Sequence, residues 1–321
     1  MATPRIRGRL LAVLAALLLV VGPVNGVRAD SEEAAAKSLK LVVLGSGGPG
    51  ATGRAGASYL VLIDGTPRIL VDAGPGAFVR VGEAGLSLED VDTVLLTHLH
   101  VDHAGGLPGL FKARAVSGTD AAHFSVWGPA GTGDKPAGAW FPSTSRFLDL
   151  LFGRQGAFAY LADFAAPVTI DAHDIPGPLT GTASPQVIVA SADLVIKATP
   201  GHHADAPSII YRIEHAGRSV TFSGDIDARG LAGLRTIARG SDLLVFNSVV
   251  RDPPGSRAIL YELHTPPQAI GEVARDAGVR HVLLSHLSPV VDGHRDEVLE
   301  FIRRSYAGPV DFAEDGMRVT P

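Results

Sequence analysis

The feature that most limits what this chain can fold into is the stretch Thr97 to Gly106, Thr-His-Leu-His-Val-Asp-His-Ala-Gly-Gly, which puts three histidines and a carboxylate within six residues. Neutral imidazoles and a carboxylate gain little from being crowded together unless a cation joins them. The run follows Val91 to Leu96, an apolar segment of strand character, so these side chains are delivered onto a loop at a strand end. On an irregular turn, His98 and His100 at i and i+2 can aim two imidazoles at one metal ion, while Asp102 and His103 face a second ion a few Å away. The chain has no cysteine, so thiolate sites and disulfide frameworks are excluded, and any metal must rest on histidine and carboxylate.

The rest of the pattern supplies a scaffold for such a loop. Apolar runs at Leu41–Leu44, Tyr59–Ile63 and Ile69–Val71 read as buried strands, the last ending at Asp72; Ala77 to Gly85 reads as a helix closed by glycine. Residues 106–165 are mixed, with a helix at Ser145–Phe152 and a Gly/Pro-rich loop, Gly128 to Pro142, placed to line a cleft. Strands resume at Val187–Ala190, Leu194–Ala198, Ser208–Ile213, Ser219–Phe222 and Leu243–Phe246, followed by a helix over Pro267–Ala277 and a strand over His281–Leu284. No repeat of 20–50 residues is present. The segment Gly45-Ser-Gly-Gly-Pro-Gly50 has the spacing of a dinucleotide-binding turn, but Pro49, Gly53 and Gly56 break the helix that should receive a pyrophosphate, so a tight turn beside the cleft is expected instead.

The histidine-rich run resembles the signature of the metallo-β-lactamase superfamily, and four further motifs resemble that family's in the same order. They are Asp72 in Leu70-Val-Asp-Ala-Gly74, His203 in Gly201-His-His-Ala-Asp-Ala-Pro207, Asp225 in Ser223-Gly-Asp225, and His286 in Leu284-Ser-His-Leu287. The resemblance covers roughly residues 40–290 and implies an α/β fold, the αββα four-layer sandwich. It also implies that His98, His100 and His203 hold one metal, that Asp102, His103 and His286 hold the other, and that Asp225 bridges them. Asp72 would orient a ligating histidine from behind. Two Zn²⁺ suit such nitrogen and oxygen donors best, with Mn²⁺ or Fe as alternatives. Two cations about 3.5–4 Å apart lower the pKa of a shared water and hold a developing oxyanion, so no serine or cysteine nucleophile is required. His203 rather than its neighbour His202 is expected to ligate, since its spacing to Pro207 and Tyr211 matches the family's third motif.

His264-Thr265, ahead of a helix, resembles an additional motif of the branch that contains ribonuclease Z, small-molecule phosphodiesterases and one class of arylsulfatases. The chemistry is accordingly expected of Asp102 and His264, with Asp72 in support, and His264 is expected as proton donor or positive group at the leaving oxygen. Thr265 is also placed to cap the helix that follows. Ribonuclease Z itself fits the pattern badly: His203 and Asp225 lie too close in sequence for a tRNA-clamping arm, and Asn247 stands where that enzyme has a glutamate. The expectation is therefore an exported hydrolase of small sulfate or phosphate esters, with a lactonase or β-lactamase, or a metal-binding module without catalysis, as alternatives.

The N-terminus and the charge lead to the expected compartment and partners. Residues 1–29 begin with Arg5, Arg7 and Arg9, turn apolar from Leu10 to Val21 and reach Val27-Arg28-Ala29, the layout of a secretory signal peptide; the apolar run is shorter than the roughly 20 residues that span a bilayer. Residues 30–38 read as a linker and 39–321 as one hydrolase domain, secreted or periplasmic. The full chain has a net charge of −5, and removal of residues 1–29, which hold four arginines and no acid, makes it more acidic. Because phosphate neutralisation by Lys and Arg supplies most nucleic-acid affinity, a nucleic-acid partner is not expected. The expected partners are a small-molecule ester and, on the family's habit, a second copy of the chain.

Overall fold

The computed structural model describes residues 37–50, 53–133, 140–177 and 184–321; the signal-like segment 1–29, most of the linker and part of the Gly128–Pro142 loop lie outside the described residues. Six strands in chain order build most of one sheet: β1 (Leu39–Gly45), β2 (Ser58–Ile63), β3 (Thr66–Ala73), β4 (Thr93–Leu95), β5 (Ala122–Pro129) and β6 (Val168–Ile175). Seven more form the other: β7 (Gln186–Ala190), β8 (Leu194–Pro200), β9 (Ile209–His215), β10 (Arg218–Phe222), β11 (Leu243–Asn247), β12 (Val282–Ser285) and β13 (Val310–Phe312). The last strand, β14 (Arg318–Val319), returns to pair antiparallel with β1. The helices are α1 (Ala77–Glu83), α2 (Val101–Ala104), α3 (Leu107–Ser117), α4 (Thr144–Phe152), α5 (Leu231–Ile237), α6 (Pro267–Asp276), α7 (Pro289–Asp292) and α8 (Arg295–Arg303).

Alternation along the strands sorts the side chains into layers, because successive residues of a strand point to opposite faces. Leu41, Val43, Val61 and Val71 of the first sheet meet Ile196, Ile213, Val220 and Val245 of the second in a core between the sheets. Their neighbours Val42, Leu44, Leu60 and Leu70 face outward onto Val81, Leu107, Leu110, Phe111 and Leu148 from α1, α3 and α4. On the other side Leu244, Phe246 and Leu284 pack on Leu234, Ile270, Val273, Val298 and Ile302 from α5, α6 and α8. Strands with both faces covered need apolar residues at nearly every position, which is why they appear as unbroken apolar runs. The result is the αββα four-layer sandwich. Among the described residues no helix is long and apolar enough to cross a membrane.

Topology decides where the chemistry sits. β3, β4, β5 and β6 run parallel, as do β10, β11, β12 and β13, and β8 points the same way as β10 because each is antiparallel to β9. The C-terminal ends of β3, β4, β8, β10, β11 and β12 carry Asp72, the Thr97–His103 loop, His203, Asp225, Asn247 and His286 respectively. Open parallel sheets place their sites in the crevice at such ends. The segment 106–165, read from sequence as mixed, contains α3, β5 and α4. Thr265 does not cap α6: its hydroxyl donates to the Ile226 carbonyl, and Asp252 accepts from Gln268 N in the first turn.

Tyr211, fully buried on β9, ties the second sheet to the start of the histidine loop by donating from its hydroxyl toward the carbonyls of Leu96 (3.0 Å) and Trp127 (3.3 Å). Tyr211→Phe is expected to cost about 1–2 kcal/mol. A lower urea midpoint at unchanged slope is the check; no change in midpoint would remove Tyr211 from the interactions holding this loop.

Candidate metal centre

The histidine run divides between a loop and a helix. Thr97, His98 and Leu99 form the turn, His100 is the N-cap of α2 with extended backbone, and Asp102 and His103 lie in the helix itself. Gly224 precedes Asp225 with φ +57°, and a Cβ there would stand 2.7 Å from Cβ of Thr97, so only glycine lets the two loops approach so closely. Asp72 and His286 both take left-handed backbone, at φ 54° and 53°, which for non-glycine residues at strand ends is a strained choice that marks a site.

These loops bring the residues together in four overlapping groups whose ligand-type atoms lie within 4.8 Å of one another: His98, His100 and His203; Asp102, His103 and His286; His98, His103 and Asp225; and His203, Asp225 and His264. Asp225 stands between the two trios. Its Oδ2 is 3.9 Å from His98 Nε2, 3.8 Å from His103 Nε2, 3.7 Å from His203 Nε2 and 3.8 Å from His264 Nδ1, and its Oδ1 is 3.4 Å from His286 Nδ1. Asp102 Oδ2 is 3.1 Å from His286 Nε2.

For His98, His103 and His203 the nitrogen facing Asp225 is the one left over once the other is engaged. His103 Nδ1 meets Asp72 Oδ2 at 2.8 Å and His203 Nδ1 meets the Leu263 carbonyl at 2.7 Å. Asp72 also accepts from Thr97 N (2.7 Å) and Thr97 Oγ1 (2.8 Å), so the Thr97 hydroxyl is left to accept from His98 Nδ1 at 3.2 Å. These partners assign the N–H to Nδ1 and turn the Nε2 lone pairs of all three rings inward. Asn247 Nδ2 donates to Asp225 Oδ1 at 2.8 Å, so Asn247 serves the central carboxylate and not His264.

Among the described residues the buried His98 Nε2, His103 Nε2, His264 Nδ1 and His286 Nδ1 have no hydrogen-bond partner. Buried polar atoms are almost always bonded. Four exceptions converging on one carboxylate fit a cation-binding centre, and the donors, all nitrogen or carboxylate oxygen, fit a divalent ion. Two donors about 2.0–2.2 Å from one ion lie at most roughly 4 Å apart, the range these separations occupy.

Electrostatics agree with the donor roles of His98, His100, Asp102 and Asp225, whereas His103 would have to give up its second proton to ligate. Burial pushes His98 and His100 below the usual imidazole value and brings His264 down to about 4, leaving lone pairs free. Burial opposes charge on His103 too, but the Asp72 carboxylate outweighs it and raises that ring to about 9. For Asp225, burial favours the neutral acid, yet the rings of His286, His264, His103 and His203 hold it well below the usual carboxylate range. Asp102 falls to about 2, the His286 hydrogen bond and the charges of His103 and His286 overcoming burial.

The residues around the cluster have their own partners, and His202 takes the non-ligating place expected of it from sequence. His202 turns away from the cluster to Asp227 (Nδ1 to Oδ2, 2.8 Å), which also accepts from Arg229 N. Phe141, near the end of the Gly128–Pro142 loop, lies with its ring 5.7 Å from that of His100. Trp127 stacks on His173 at 4.0 Å and packs against the core, while Trp140 is exposed. The glycine-rich turn after β1 opens no helix; Gly48 donates to the Leu287 carbonyl and lies against His286.

Comparison with known proteins adds a family to this geometry. Residues 67–287 match the beta-lactamase superfamily domain. Ribonuclease Z of Mycobacterium avium (strain 104) is 30% identical over 291 residues, which cover 88% of this chain and 98% of that protein, and ribonuclease Z of Mycobacterium marinum is 28% identical at the same coverages. Among solved structures, human tRNase Z, short form, has a TM-score of 0.67 at 20% identity, covering 88% of this chain and 98% of that one. The metallo-beta-lactamase fold protein YhfI from Bacillus subtilis has a TM-score of 0.66 at 19% identity, covering 88% and 100%.

The relatives correct two expectations drawn from the sequence. They are ribonucleases, which overturns a small sulfate or phosphate ester as substrate and the exclusion of a nucleic-acid partner. Both expectations leaned on weak physical signs. An alignment of 291 residues that takes in nearly all of the relative leaves no room there for a large insertion that this chain lacks, so the short spacing from His203 to Asp225 excludes nothing. Net charge is a property of the whole surface and does not fix the local field at a cleft.

Asp72→Asn keeps the size of the side chain but removes the charge that fixes the His103 ring. Zn²⁺ affinity of the folded variant, measured calorimetrically, is expected to fall 10–100-fold. His202→Ala is expected to lower thermal stability with affinity intact. Unchanged affinity in Asp72→Asn, or a large loss in His202→Ala, would reverse the roles given to these two residues.

Proposed function

The chain belongs to the beta-lactamase superfamily, in its ribonuclease Z-like branch, and from that premise we propose that it is a metal-dependent hydrolase of phosphodiester bonds in RNA, with a pair of Zn²⁺ ions as its cofactor. What carries the reading is the alignment that takes in 98% of a mycobacterial ribonuclease Z and 88% of this chain, together with the histidine and aspartate groups brought together in the structure. His98, His100 and His203 would hold one ion and Asp102, His103 and His286 the other, with Asp225 shared. Bound there, the ions supply Lewis acidity for water activation and for the charge that builds on the phosphoryl oxygens.

The chain's own residues do the remaining work. Asp72, Thr97 and the Leu263 carbonyl hold protons on the outward nitrogens of His103, His98 and His203, so these rings keep one tautomer through the reaction. Asn247 fixes Asp225 through Oδ1 and so sets which way the shared carboxylate faces. His264 is uncharged in its buried position, and its place beside His203 and Asp225 suits it to give a hydrogen bond to a phosphate oxygen. This is a weaker demand than the proton donor or positive group expected from sequence, and no carboxylate beyond Asp225 is needed to meet it. Phe141 beside His100 offers a face on which a base can stack. The basic and then apolar layout of residues 1–29 adds export to the same reading, which N-terminal sequencing of the mature chain tests.

The test is cleavage of an end-labelled single-stranded RNA and a tRNA transcript by zinc-loaded protein, before and after chelation, with His103→Ala beside the wild type. The expected result is cleavage that chelator abolishes and that His103→Ala lowers at least 100-fold in kcat/KM. RNA left intact by protein shown to carry its metal would refute the reading.

A further inference from the structure

His286 has an unusual place among the cluster residues: it is fully buried, has left-handed backbone, and among the described residues no partner fixes its ring from behind. His103 leans on Asp72 and His203 on a carbonyl, but the two nitrogens of His286 face Asp102 and Asp225, both inside the centre. Its orientation must come from what packs against it. That is Gly48, where a Cβ would stand 2.9 Å from His286 Nδ1 and 2.7 Å from the His286 carbonyl oxygen, so the glycine backbone is in contact with the ring and the peptide together.

The turn carrying Gly48 is joined to the His286 loop by backbone bonds: Leu287 N to Ser46 O at 2.8 Å and Gly48 N to Leu287 O at 3.1 Å, with Gly47 bridging both Gly56 and Leu287. Its shape is set by one carboxylate near the C-terminus. Asp315 Oδ1 accepts from Ser46 N (2.9 Å) and Ser46 Oγ (2.7 Å), and Oδ2 accepts from Ala55 N (2.8 Å) and Arg80 Nε (3.0 Å). Arg54 closes the arrangement, giving Nη1 to Ser46 Oγ (2.6 Å) and the Ala313 carbonyl (2.9 Å), and Nε and Nη2 to the two oxygens of Asp292 (2.8 and 3.0 Å). Asp315 thus binds both limbs of the glycine turn, at Ser46 and at Ala55, and its side chain is 11% exposed, which limits competition from water.

We propose that Asp315 is the positioning residue for His286, acting through Ser46 and the Gly47–Gly48 backbone, and so sets the affinity of the metal position that His286 completes. The inference rests on the reading of His286 as a metal ligand. The glycine turn is the part of the chain that reproduces for His286 what Asp72 does for His103, with packing in place of a hydrogen bond.

The experiment is a two-site titration of the metal-free chain with Zn²⁺, and with Co²⁺ for its coordination-sensitive absorption, on wild type, Asp315→Ala and His286→Ala. Asp242→Ala is the control for general destabilisation, since Asp242 is buried, accepts from Ser219 N and Oγ, and lies at the far ends of β10 and β11. In Asp315→Ala one of two sites is expected to weaken 10–100-fold, with a Co²⁺ spectrum altered as in His286→Ala, while Asp242→Ala loses thermal stability and keeps both affinities. If Asp315→Ala does not fold, Ser46→Ala, which removes only the hydroxyl between Arg54 and Asp315, is expected to weaken the same site to a smaller degree. Wild-type affinities in the folded Asp315 or Ser46 variant, or an equal loss in Asp242→Ala, would overturn the inference while leaving the metal centre standing. A wild type that binds no metal would overturn both.

Discussion

One buried carboxylate, Asp225, with imidazole nitrogens of five histidines within 4 Å, is the constraint on which the rest of the molecule depends. A carboxylate only accepts hydrogen bonds and cannot satisfy the lone pairs turned toward it, and among the described residues several of these nitrogens have no hydrogen-bond partner. A chain that assembles this without cations bears the desolvation cost of each unpaired group. With cations in place the same atoms would become ligands, and the cluster would change from a burden on folding to a contribution to it.

Holding such a cluster requires rigid approaches from several directions, which the sandwich supplies by bringing co-directional strand ends to one crevice. The outward nitrogens are then fixed by Asp72, Thr97 and a backbone carbonyl, and the central carboxylate by Asn247. Close approach of the loops depends on glycine at Gly48 and Gly224, where a side chain would enter the centre or its supporting threonine.

Much of this was legible in the sequence, for physical reasons that differ by element. Strands covered on both faces, such as β3 and β11, show as apolar runs, and the five metal motifs show because each ends a strand. α3 was not legible because Arg114 lies on its buried face among Leu107, Leu110, Phe111 and Ala115 while Val116 is exposed on the opposite one, which blurs the apolar stripe. β5, by contrast, does carry a strand's alternation, Ala122, Phe124 and Val126 against His123, Ser125 and Trp127, but it runs straight into the Gly/Pro-rich residues that follow and so merged with that loop. Asn247 could not be paired with Asp225 from sequence, since their meeting depends on β10 and β11 lying side by side. Asp315 gave no sign of its own, because what it binds is the backbone of a turn at the opposite end of the chain. Substrate class was least legible, since absent insertions and overall charge speak only indirectly about what a cleft admits.

The most direct test of the account is anomalous diffraction at the zinc absorption edge from crystals of the metal-loaded protein. Two peaks about 3.5–4 Å apart, one beside His98, His100 and His203 and the other beside Asp102, His103 and His286, with Asp225 touching both, are predicted. A single peak, or two peaks that do not share Asp225, would contradict it.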